Sequence, residues 1–138
     1  QINFNSGCIG PNMIEGRISQ GVTVGKGSDL GGSASTAGTL SGGGNIVISV
    51  GEQCLLGANA GLGIPLGDRC TVESGLYLTA GQKVKVLDKD GQAVGIVKTR
   101  ELAGKNDLLF RRNSMTGEIE CLANQSAIAL NDELHANN

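Results

Sequence analysis

The sequence predicts an all-β protein built mainly as a parallel β-helix, a three-sided prism of short strands stacked in coils. Between Ile18 and Val84 an aliphatic residue recurs every six residues and is followed by glycine or another small or polar residue. The fifth position of each repeat is small or apolar. A six-residue period fits neither a helix face nor the alternation of a flat sheet, and stacked repeats of this length are typical of parallel β-helices.

The repeat also predicts how the prism is filled. Three repeats close one coil of about eighteen residues, and no coil can bury its apolar stripe without a neighbour. We expect the first residue of each repeat to point into the prism and the fifth to fill a corner. Glycine makes up 23 of the 138 residues and aromatic residues only 2%, so Ile, Leu and Val must form a thin core. The repeats, each given as its first two residues and its fifth, are Val24-Gly25 with Ser28, Leu30-Gly31 with Ala34, Val50-Gly51 with Cys54, Leu56-Gly57 with Ala60, Leu66-Gly67 with Cys70 and Val72-Glu73 with Leu76.

The coils are interrupted twice. Residues 1–13 are a polar approach rich in Gly and Asn, and the first clear repeat begins at Ile18. The pattern breaks at residues 36–48, which contain the string GTLSGGGN, too rich in glycine for a strand and too long for a corner. We expect an ejected loop there, because insertions in repeat proteins form loops, often on the binding face. After Val50 the pattern resumes out of phase, and a slip at residues 63–65 restores the phase.

The pattern then changes to antiparallel hairpins. Residues 84–87 and 93–98 flank a turn that contains Asp-Gly, and this arrangement predicts one hairpin. Residues 108–112 and 118–122 flank a second turn and predict another hairpin.

The last residues complete a capping region. Residues 126–136 predict a short terminal helix. We expect a β-helix domain at residues 1–87, with the ejected loop inside it, and a capping region at residues 88–138. A cap is needed because an open coil would expose strand edges and core side chains.

Charge and cysteine content exclude several classes of partner. The net charge of −2 provides no general attraction to nucleic acid or to an anionic membrane, although five of the eleven Lys and Arg lie between Lys98 and Arg112. The four cysteines include no CxxC pair, and Cys54 and Cys70 fall at fifth positions, where a small buried thiol fits. We expect reduced thiols, no membrane span, no signal peptide and a cytoplasmic protein.

Few residues carry obvious chemistry. Prisms of this kind commonly transfer acyl groups from acyl-CoA, many of them with a histidine base, but the sole histidine, His135, lies near the end of the chain and is expected to be a solvated tail residue. Glu15, in the string MIEGRIS, is the carboxylate next to the prism entrance, and a positioned acid or base contributes about 10²–10⁴-fold. The residues alone leave Glu15 open as a surface partner of Arg17. They also leave the glycine run open as a surface insertion or as a set of backbone N–H donors.

Longer strings point to one family. MIEGRIS, VGKGSDLGGSAS, GTLSGGGN, ISVGEQCLLGANAGLGIPLGDRC, VESGLYLTAG and LLFRRNS occur in this order. Together they resemble the carboxy-terminal half of the tetrahydrodipicolinate N-succinyltransferases over nearly the whole chain. The resemblance implies a homotrimer of left-handed parallel β-helices, an exception to the usual right-handed crossover. It also implies an amino-terminal domain that these 138 residues do not include.

The resemblance also implies an activity. Members of the family transfer succinyl from succinyl-CoA to the amine of ring-opened tetrahydrodipicolinate, in diaminopimelate and lysine biosynthesis. Succinyl-CoA is thus the implied co-substrate and tetrahydrodipicolinate the implied acceptor. Magnesium, which has been associated with trimers of the family, would take its ligands outside this chain.

Roles of single residues follow by position in the matching strings. Glu15 is implied as the catalytic carboxylate, and proton transfer is favoured over a transient acyl anhydride. The backbone of Gly38 is implied beside the thioester, and Arg17 as the partner of the succinyl carboxylate. The residues implied along the acyl end and the pantetheine arm are Gly32, Ser35, Ala58, Glu73, Ser74 and Gly81. Those implied at the nucleotide end of CoA are Lys98, Arg111, Arg112, Asn113 and Ser114.

Other classes of function were weighed against this one. A related prism enzyme could use another acyl-CoA, and an assay that compares acetyl-CoA with succinyl-CoA separates the two. A carbonic anhydrase of this fold needs three histidine ligands for Zn²⁺, which one histidine cannot supply. A non-catalytic trimeric scaffold would bind no CoA, and an ice-binding surface would need Thr arrays that this chain lacks.

Overall fold

The structure is a computed structural model that describes residues 1–3, 5–38 and 46–123. Within these ranges the chain forms fourteen strands and one short 3₁₀ helix, Thr99–Leu102. The strands, in chain order, are β1 (Gly7–Cys8), β2 (Met13–Ile14), β3 (Thr23–Val24), β4 (Asp29–Leu30), β5 (Ser35–Thr36), β6 (Ser49–Val50), β7 (Leu55–Leu56), β8 (Gly61–Leu62), β9 (Thr71–Val72), β10 (Tyr77–Leu78), β11 (Lys83–Leu87), β12 (Ala93–Lys98), β13 (Leu108–Arg112) and β14 (Ile119–Ala123).

The predicted prism of parallel coils is confirmed. Its first face is the stack β1-β3-β6, its second face contains β2-β4-β7-β9, and its third face is β5-β8-β10. Every pairing within these stacks is parallel. Except from β2 to β3 and from β8 to β9, where one face has no assigned strand, consecutive two-residue strands lie on successive faces, and the chain returns to the same face one coil later.

The core is a narrow column that the repeat fills as expected. The first residues of the repeats are at most 5% exposed, and the fifth residues at most 2%. Burial of aliphatic side chains contributes about 25 cal/mol per Å² of apolar surface, so the coils are held together by this column. The first residues are Ile18, Val24, Leu30, Val50, Leu56, Leu62, Leu66, Val72, Leu78 and Val84, and the fifth residues are Val22, Ser28, Ala34, Cys54, Ala60, Cys70 and Leu76.

Glycines allow neighbouring coils to approach at the corner between the first and second faces. A Cβ atom on Gly25 would lie 2.6 Å from the carbonyl carbon of Gly51. A Cβ on Gly51 would lie 2.5 Å from the carbonyl carbon of Gly67, and one on Gly67 would lie 2.5 Å from that of Lys105. Any larger residue in this column would have to push two coils apart.

The same corner is cross-linked by side-chain donors. The Ser28 hydroxyl donates to the carbonyl oxygen of Gly51 at 2.7 Å. One coil further, the Cys54 thiol donates to Gly67 at 3.1 Å, and the Cys70 thiol then donates to Lys105 at 3.2 Å. The two cysteines are thus small buried residues, as predicted, and they also provide hydrogen bonds between coils.

The first interruption is narrower than the pattern suggested. Thr36 lies in β5 and is 1% exposed, with Leu62 beside it on β8. Its hydroxyl oxygen accepts from the Ser19 backbone N–H at 3.0 Å and donates to the Arg17 carbonyl at 3.3 Å. A threonine can therefore fill an aliphatic position because its polar atom is hydrogen-bonded. Most of the glycine-rich string, residues 39–45, lies outside the described residues.

Both predicted hairpins are present, with strand bounds within one residue of expectation. β11 pairs with β12 and β13 pairs with β14, both antiparallel. β14 also pairs with β11, and β13 with β9, both parallel. The hairpins therefore extend the second face into a sheet of eight strands. The division of the chain after residue 87 stays a prediction, and the predicted terminal helix lies outside the described residues.

The 3₁₀ helix was not predicted from the sequence. The Glu101 side chain accepts from the backbone N–H of Lys98 at 2.8 Å, which stabilises the first turn. Thr99 donates its backbone N–H to the Gln82 carbonyl at 2.8 Å. Since Thr99 and Leu102 are buried, this short segment packs on the end of the prism.

Candidate functional site

One corner of the prism carries half of the predicted site residues. It lies between the second and third faces, and we call it the site ridge (residues 15–17, 31–35, 57–61 and 73–77). These segments are stacked because parallel pairs join Ile14 with Leu30, Leu30 with Leu56, and Leu56 with Val72. The predicted residues that lie on the site ridge are Glu15, Arg17, Gly32, Ser35, Ala58, Glu73 and Ser74.

Glu15 and Arg17 begin the site ridge. Both side chains are exposed. Their backbones are fixed, because Glu15 donates its N–H to Leu30 at 2.9 Å and Arg17 donates to Ala34 at 2.8 Å. Arg17 also forms a parallel bridge with Ser35. The structure thus presents a carboxylate and a guanidinium two residues apart on a rigid corner.

The middle of the site ridge consists of small residues, so few side chains project from it. A Cβ on Gly32 would meet nothing within 4 Å, so the space above it is open. Asn59 donates its N–H to the Gly32 carbonyl at 2.9 Å, and Gly75 donates to Ala58 at 2.9 Å. These bonds hold the corners in line, and Ala58 and Ser74 are exposed along them.

A pocket of about 400 Å³ closes the other end of the site ridge. It brings together five residues that were predicted to bind the donor and two that were not. The predicted ones are Glu73, Arg111, Arg112, Asn113 and Ser114, and the additional ones are Met115 and Glu120.

Hydrogen bonds organise this pocket, which we call the hairpin pocket. Arg111 donates Nε–H to Glu120 Oε1 at 3.0 Å, and Asn113 donates Nδ2–H to Glu120 Oε2 at 3.2 Å. Arg112 donates its backbone N–H to Glu73 Oε2 at 2.8 Å and a guanidinium N–H to the Gly117 carbonyl at 2.7 Å. Each arginine is therefore oriented by the chain itself.

The distance between the two ends of the site ridge follows from the number of strands that separate them. The residue after each inward-pointing residue of the second face lies in one row, from Glu15 through Gly31, Gly57 and Glu73 to Arg111. Neighbouring strands of a sheet lie about 4.8 Å apart, so four steps place the backbones of Glu15 and Arg111 roughly 19 Å apart. The row suits an extended ligand with different chemistry at its two ends.

Three predicted site residues lie at another corner, between the third and first faces. A Cβ on Gly38 would lie 3.7 Å from the Ser19 Cβ, which places Gly38 beside the corner that follows Ile18. Gly81 lies in the equivalent corner after β10, and Lys98 precedes Thr99, which is bonded to Gln82. One chain therefore does not bring Glu15 and Gly38 together.

Glu120 could have been found from the sequence by pairing the second hairpin. Arg111 and Glu120 lie directly opposite each other in β13 and β14. Opposite charges in such positions attract, and a carboxylate beside a predicted ligand-binding arginine is a candidate for the same site. Met115 gave no such signal, because it lies in the turn and is 90% exposed.

Within residues 1–3, 5–38 and 46–123, no group of three or more His, Cys, Asp or Glu side chains is arranged to hold a metal ion. In the same ranges no helix is both long enough and apolar enough to span a bilayer.

Comparisons with known proteins find similarity to succinyltransferases. A family model described as the hexapeptide repeat of succinyl-transferase matches residues 47–80. The chain is 72% identical over 137 residues to a 2,3,4,5-tetrahydropyridine-2,6-dicarboxylate N-succinyltransferase of Vibrio cholerae, which covers 99% of this chain and 40% of that protein. The protein of that name from Pseudomonas putida is 68% identical with the same coverage.

A solved structure agrees with this likeness. It is described as a 2,3,4,5-tetrahydropyridine-2-carboxylate N-succinyltransferase of Campylobacter jejuni and is 43% identical, with a TM-score of 0.81. The match covers 91% of this chain and 35% of that structure. The chain thus spans about two fifths of the length of the curated relatives it matches.

Proposed function

Because 99% of this chain matches 2,3,4,5-tetrahydropyridine-2,6-dicarboxylate N-succinyltransferases at 68–72% identity, we propose that it is the six-residue-repeat part of such an enzyme. In this proposal it binds succinyl-CoA and carries the group that moves the proton during succinyl transfer. The acceptor is the amine of ring-opened tetrahydrodipicolinate. The observation that carries the proposal is the site ridge, which begins at an exposed carboxylate and ends at the hairpin pocket.

The reaction requires little chemistry from the protein. The acceptor amine attacks the thioester carbonyl, a C–N bond forms, and the C–S bond to CoA breaks. The amine loses one proton and the departing thiolate gains one. Glu15 is suited to relay this proton, because its side chain is exposed at the start of the site ridge while its backbone is fixed. Arg17, two residues away, would pair with the free carboxylate of the succinyl group.

The donor would lie along the site ridge. The pantetheine arm would pass the open space at Gly32 and the exposed Ala58 and Ser74. The phosphate-bearing end of CoA would then reach the hairpin pocket, where Arg111 and Arg112 are cationic. Guanidinium groups bind phosphate oxygens with two parallel hydrogen bonds, which makes arginine a favourable residue at this end.

A homotrimer would complete the site. Gly38, Gly81 and Lys98 lie at a different corner from the site ridge. If that corner of a neighbouring copy faces the ridge, the Gly38 backbone N–H can lie beside the oxyanion that develops on the thioester. We propose left-handed coils, a cytoplasmic location and, for any magnesium in the trimer, ligands outside this chain. No nucleic acid or membrane partner is part of the proposal.

Glu15→Gln tests the proton role, with Glu52→Gln as the matched control at an exposed corner away from the site ridge. Thiol release from succinyl-CoA in the presence of acceptor is measured with the full-length protein. We expect kcat to fall by about 10²–10⁴-fold in Glu15→Gln, because a positioned base is lost. Glu52→Gln should keep wild-type activity.

Three outcomes would count against the proposal. Full activity of Glu15→Gln would remove this carboxylate from the mechanism. Equal rates with acetyl-CoA and succinyl-CoA would contradict a role for Arg17 in selecting the acyl group. Wild-type protein that binds no CoA in calorimetry would favour the scaffold alternative.

A further inference from the structure

We infer that Glu120 is a positioning residue of the donor site, which holds Arg111 and Asn113 in the orientation that binds the phosphate-bearing end of CoA. The inference rests on the proposed function, since it concerns how the hairpin pocket recognises the donor. Glu120 has not been assigned a role by sequence pattern or by likeness.

Glu120 is buried at the base of the hairpin pocket. It lies in β14 between β13 and β11, directly opposite Arg111 on one side and Lys85 on the other. Its side chain is 7% exposed, whereas that of Arg111 is 44% exposed. A buried carboxylate is costly to desolvate unless hydrogen bonds satisfy it, so its presence here requires partners.

Both carboxylate oxygens are used, each for a different predicted binding residue. Oε1 accepts from Arg111 Nε at 3.0 Å, and Oε2 accepts from Asn113 Nδ2 at 3.2 Å. Lys85 does not compete for Glu120, because its ammonium group pairs with Glu118 at 2.9 Å. One carboxylate therefore fixes two side chains of the same pocket.

The bond to Nε leaves the recognition end of Arg111 available. A guanidinium group has five N–H donors in a planar fork, and the contact through Nε fixes the plane without occupying the terminal amino groups. Those amino groups belong to a side chain that is half-exposed and lines the pocket. An oriented fork loses less rotational freedom when it binds a phosphate.

The bond to Asn113 shapes the rim of the pocket. With its Nδ2 held by Glu120, the Asn113 side-chain oxygen Oδ1 accepts from the backbone N–H groups of Met115 at 2.8 Å and Thr116 at 3.1 Å. These bonds fix the turn that joins β13 to β14. The carboxylate must be the acceptor toward Nδ2, so the opposite orientation of the amide is excluded.

Charge and position predict opposite effects of removing the carboxylate. The side chains that line the pocket include two cations, Arg111 and Arg112, and two anions, Glu73 and Glu120. If Glu120 acted only through its charge, its removal would make the pocket more positive and CoA would bind more tightly. If it positions Arg111 and Asn113, its removal weakens binding.

The test uses full-length protein with Glu120→Gln and Glu120→Asp, and Glu118→Gln as the control on the same hairpin. Gln can accept from only one of the two N–H groups and presents its own N–H groups to the other, whereas Asp keeps the charge but is one methylene too short. We expect the Kd of CoA and the KM of succinyl-CoA to rise about tenfold in both Glu120 variants, the effect of about one hydrogen bond to a charged group. We expect kcat to stay within about twofold, since the reacting atoms lie at the other end of the site ridge.

A double-mutant cycle shows whether Glu120 acts through Arg111. In the Arg111→Gln background, Glu120→Gln should cause little further loss of CoA binding. Unchanged or tighter CoA binding by Glu120→Gln, or wild-type binding by Glu120→Asp, would overturn the positioning role alone. Absence of CoA binding by the wild-type protein would overturn the proposed function as well. Thermal melting of each variant confirms that it is folded.

Discussion

Serine and cysteine are equivalent at one corner of the prism. Ser28, Cys54 and Cys70 occupy fifth positions in three successive coils, and each donates its side-chain hydrogen to a carbonyl of the next coil. The neighbouring Cys54 side chain and burial both raise the pKa of Cys70. Burial raises the pKa of Cys121 to about 12. Except for Cys8, the thiols are therefore enclosed groups with structural roles.

Replacing Cys54 tests this equivalence. We expect Cys54→Ser to change the free energy of unfolding by less than about 1 kcal/mol, since the hydroxyl can donate to Gly67 as Ser28 donates to Gly51. Cys54→Val keeps the volume but removes the donor, and should cost about 1–3 kcal/mol because a buried carbonyl loses its partner. Urea unfolding measures both. Equal stability of the two variants would contradict the account.

Single residues of the site could be proposed where a string of sequence carried them. The family strings implied Glu73 along the pantetheine arm and the run from Arg111 to Ser114 at the nucleotide end, and these residues line one pocket. Their roles stay predictions. Glu120 was missed because its importance depends on cross-strand pairing rather than on its neighbours in the chain. Thr36 was missed as a core residue because its burial depends on hydrogen bonds to Ser19 and Arg17.

At the scale of elements, glycine determines how closely the coils can stack. The column Gly25, Gly51 and Gly67 lies at the corner between the first and second faces, where each Cβ position is occupied by the next coil. The obstacle is backbone rather than a flexible side chain. The strain of a larger residue cannot be relieved without separating strands.

Gly51→Ala should therefore destabilise the protein by about 3 kcal/mol, the upper part of the usual range for overpacking. Gly7→Ala is the matched control, because Gly7 also lies in the first face and a Cβ there would meet nothing within 4 Å. The control should change stability by less than about 0.5 kcal/mol. The midpoints of chemical unfolding compare the two, and a similar loss in both would show that the column is not tightly packed.

The sequence predicted elements well where a period or a turn signal was present. The hairpin strands β11 to β14 came within one residue, because alternation and a recognisable turn, Asp-Gly in the first hairpin, define their ends. The 3₁₀ helix Thr99–Leu102 has no such period, and its formation depends on the contact between Glu101 and Lys98 and on packing against Gln82. Tertiary contacts of this kind leave no local pattern.

At the scale of the whole molecule, one aromatic residue carries the core from the coils into the hairpins, where Cys121 and Val86 continue it. Phe110 is fully buried in β13 and continues the inward column of the second face beyond Val72. Its ring is larger than the aliphatic side chains below it, and it belongs to a hairpin rather than to a coil. The core is thus continued beyond the coils by a different element from those that form them.

Phe110→Ala should cost about 3–5 kcal/mol, as for other buried phenylalanines. Leu109→Ala, on the outward side of the same strand, should cost much less, since Leu109 is only partly buried. Differential scanning calorimetry gives the change in stability, and dye binding reports exposure of the apolar column. Equal losses of stability in the two variants would contradict the role of Phe110 as a buried core residue.

The separation of the predicted site into two corners could not be read from the chain. Glu15 and Gly38 are close in sequence, yet the corners that carry them belong to different edges of the prism. Only the path of the chain around the three faces shows that one copy places the Glu15 carboxylate and Gly38 on different edges of the prism. The proposed trimer is the arrangement that would reunite them.

The stacking of coils also sets the distance between the two ends of the site ridge. The site ridge has Glu15 at one end and Arg111 at the other, and each coil between them adds about 4.8 Å to the distance between these two residues. Insertion or deletion of one whole coil would lengthen or shorten the site ridge by one strand spacing and leave both of its ends unaltered. The length of the site ridge and the chemistry of its two ends are thus encoded in separate parts of the sequence. A prism of this design can therefore be fitted to a longer or shorter ligand without a change at either end of the site ridge.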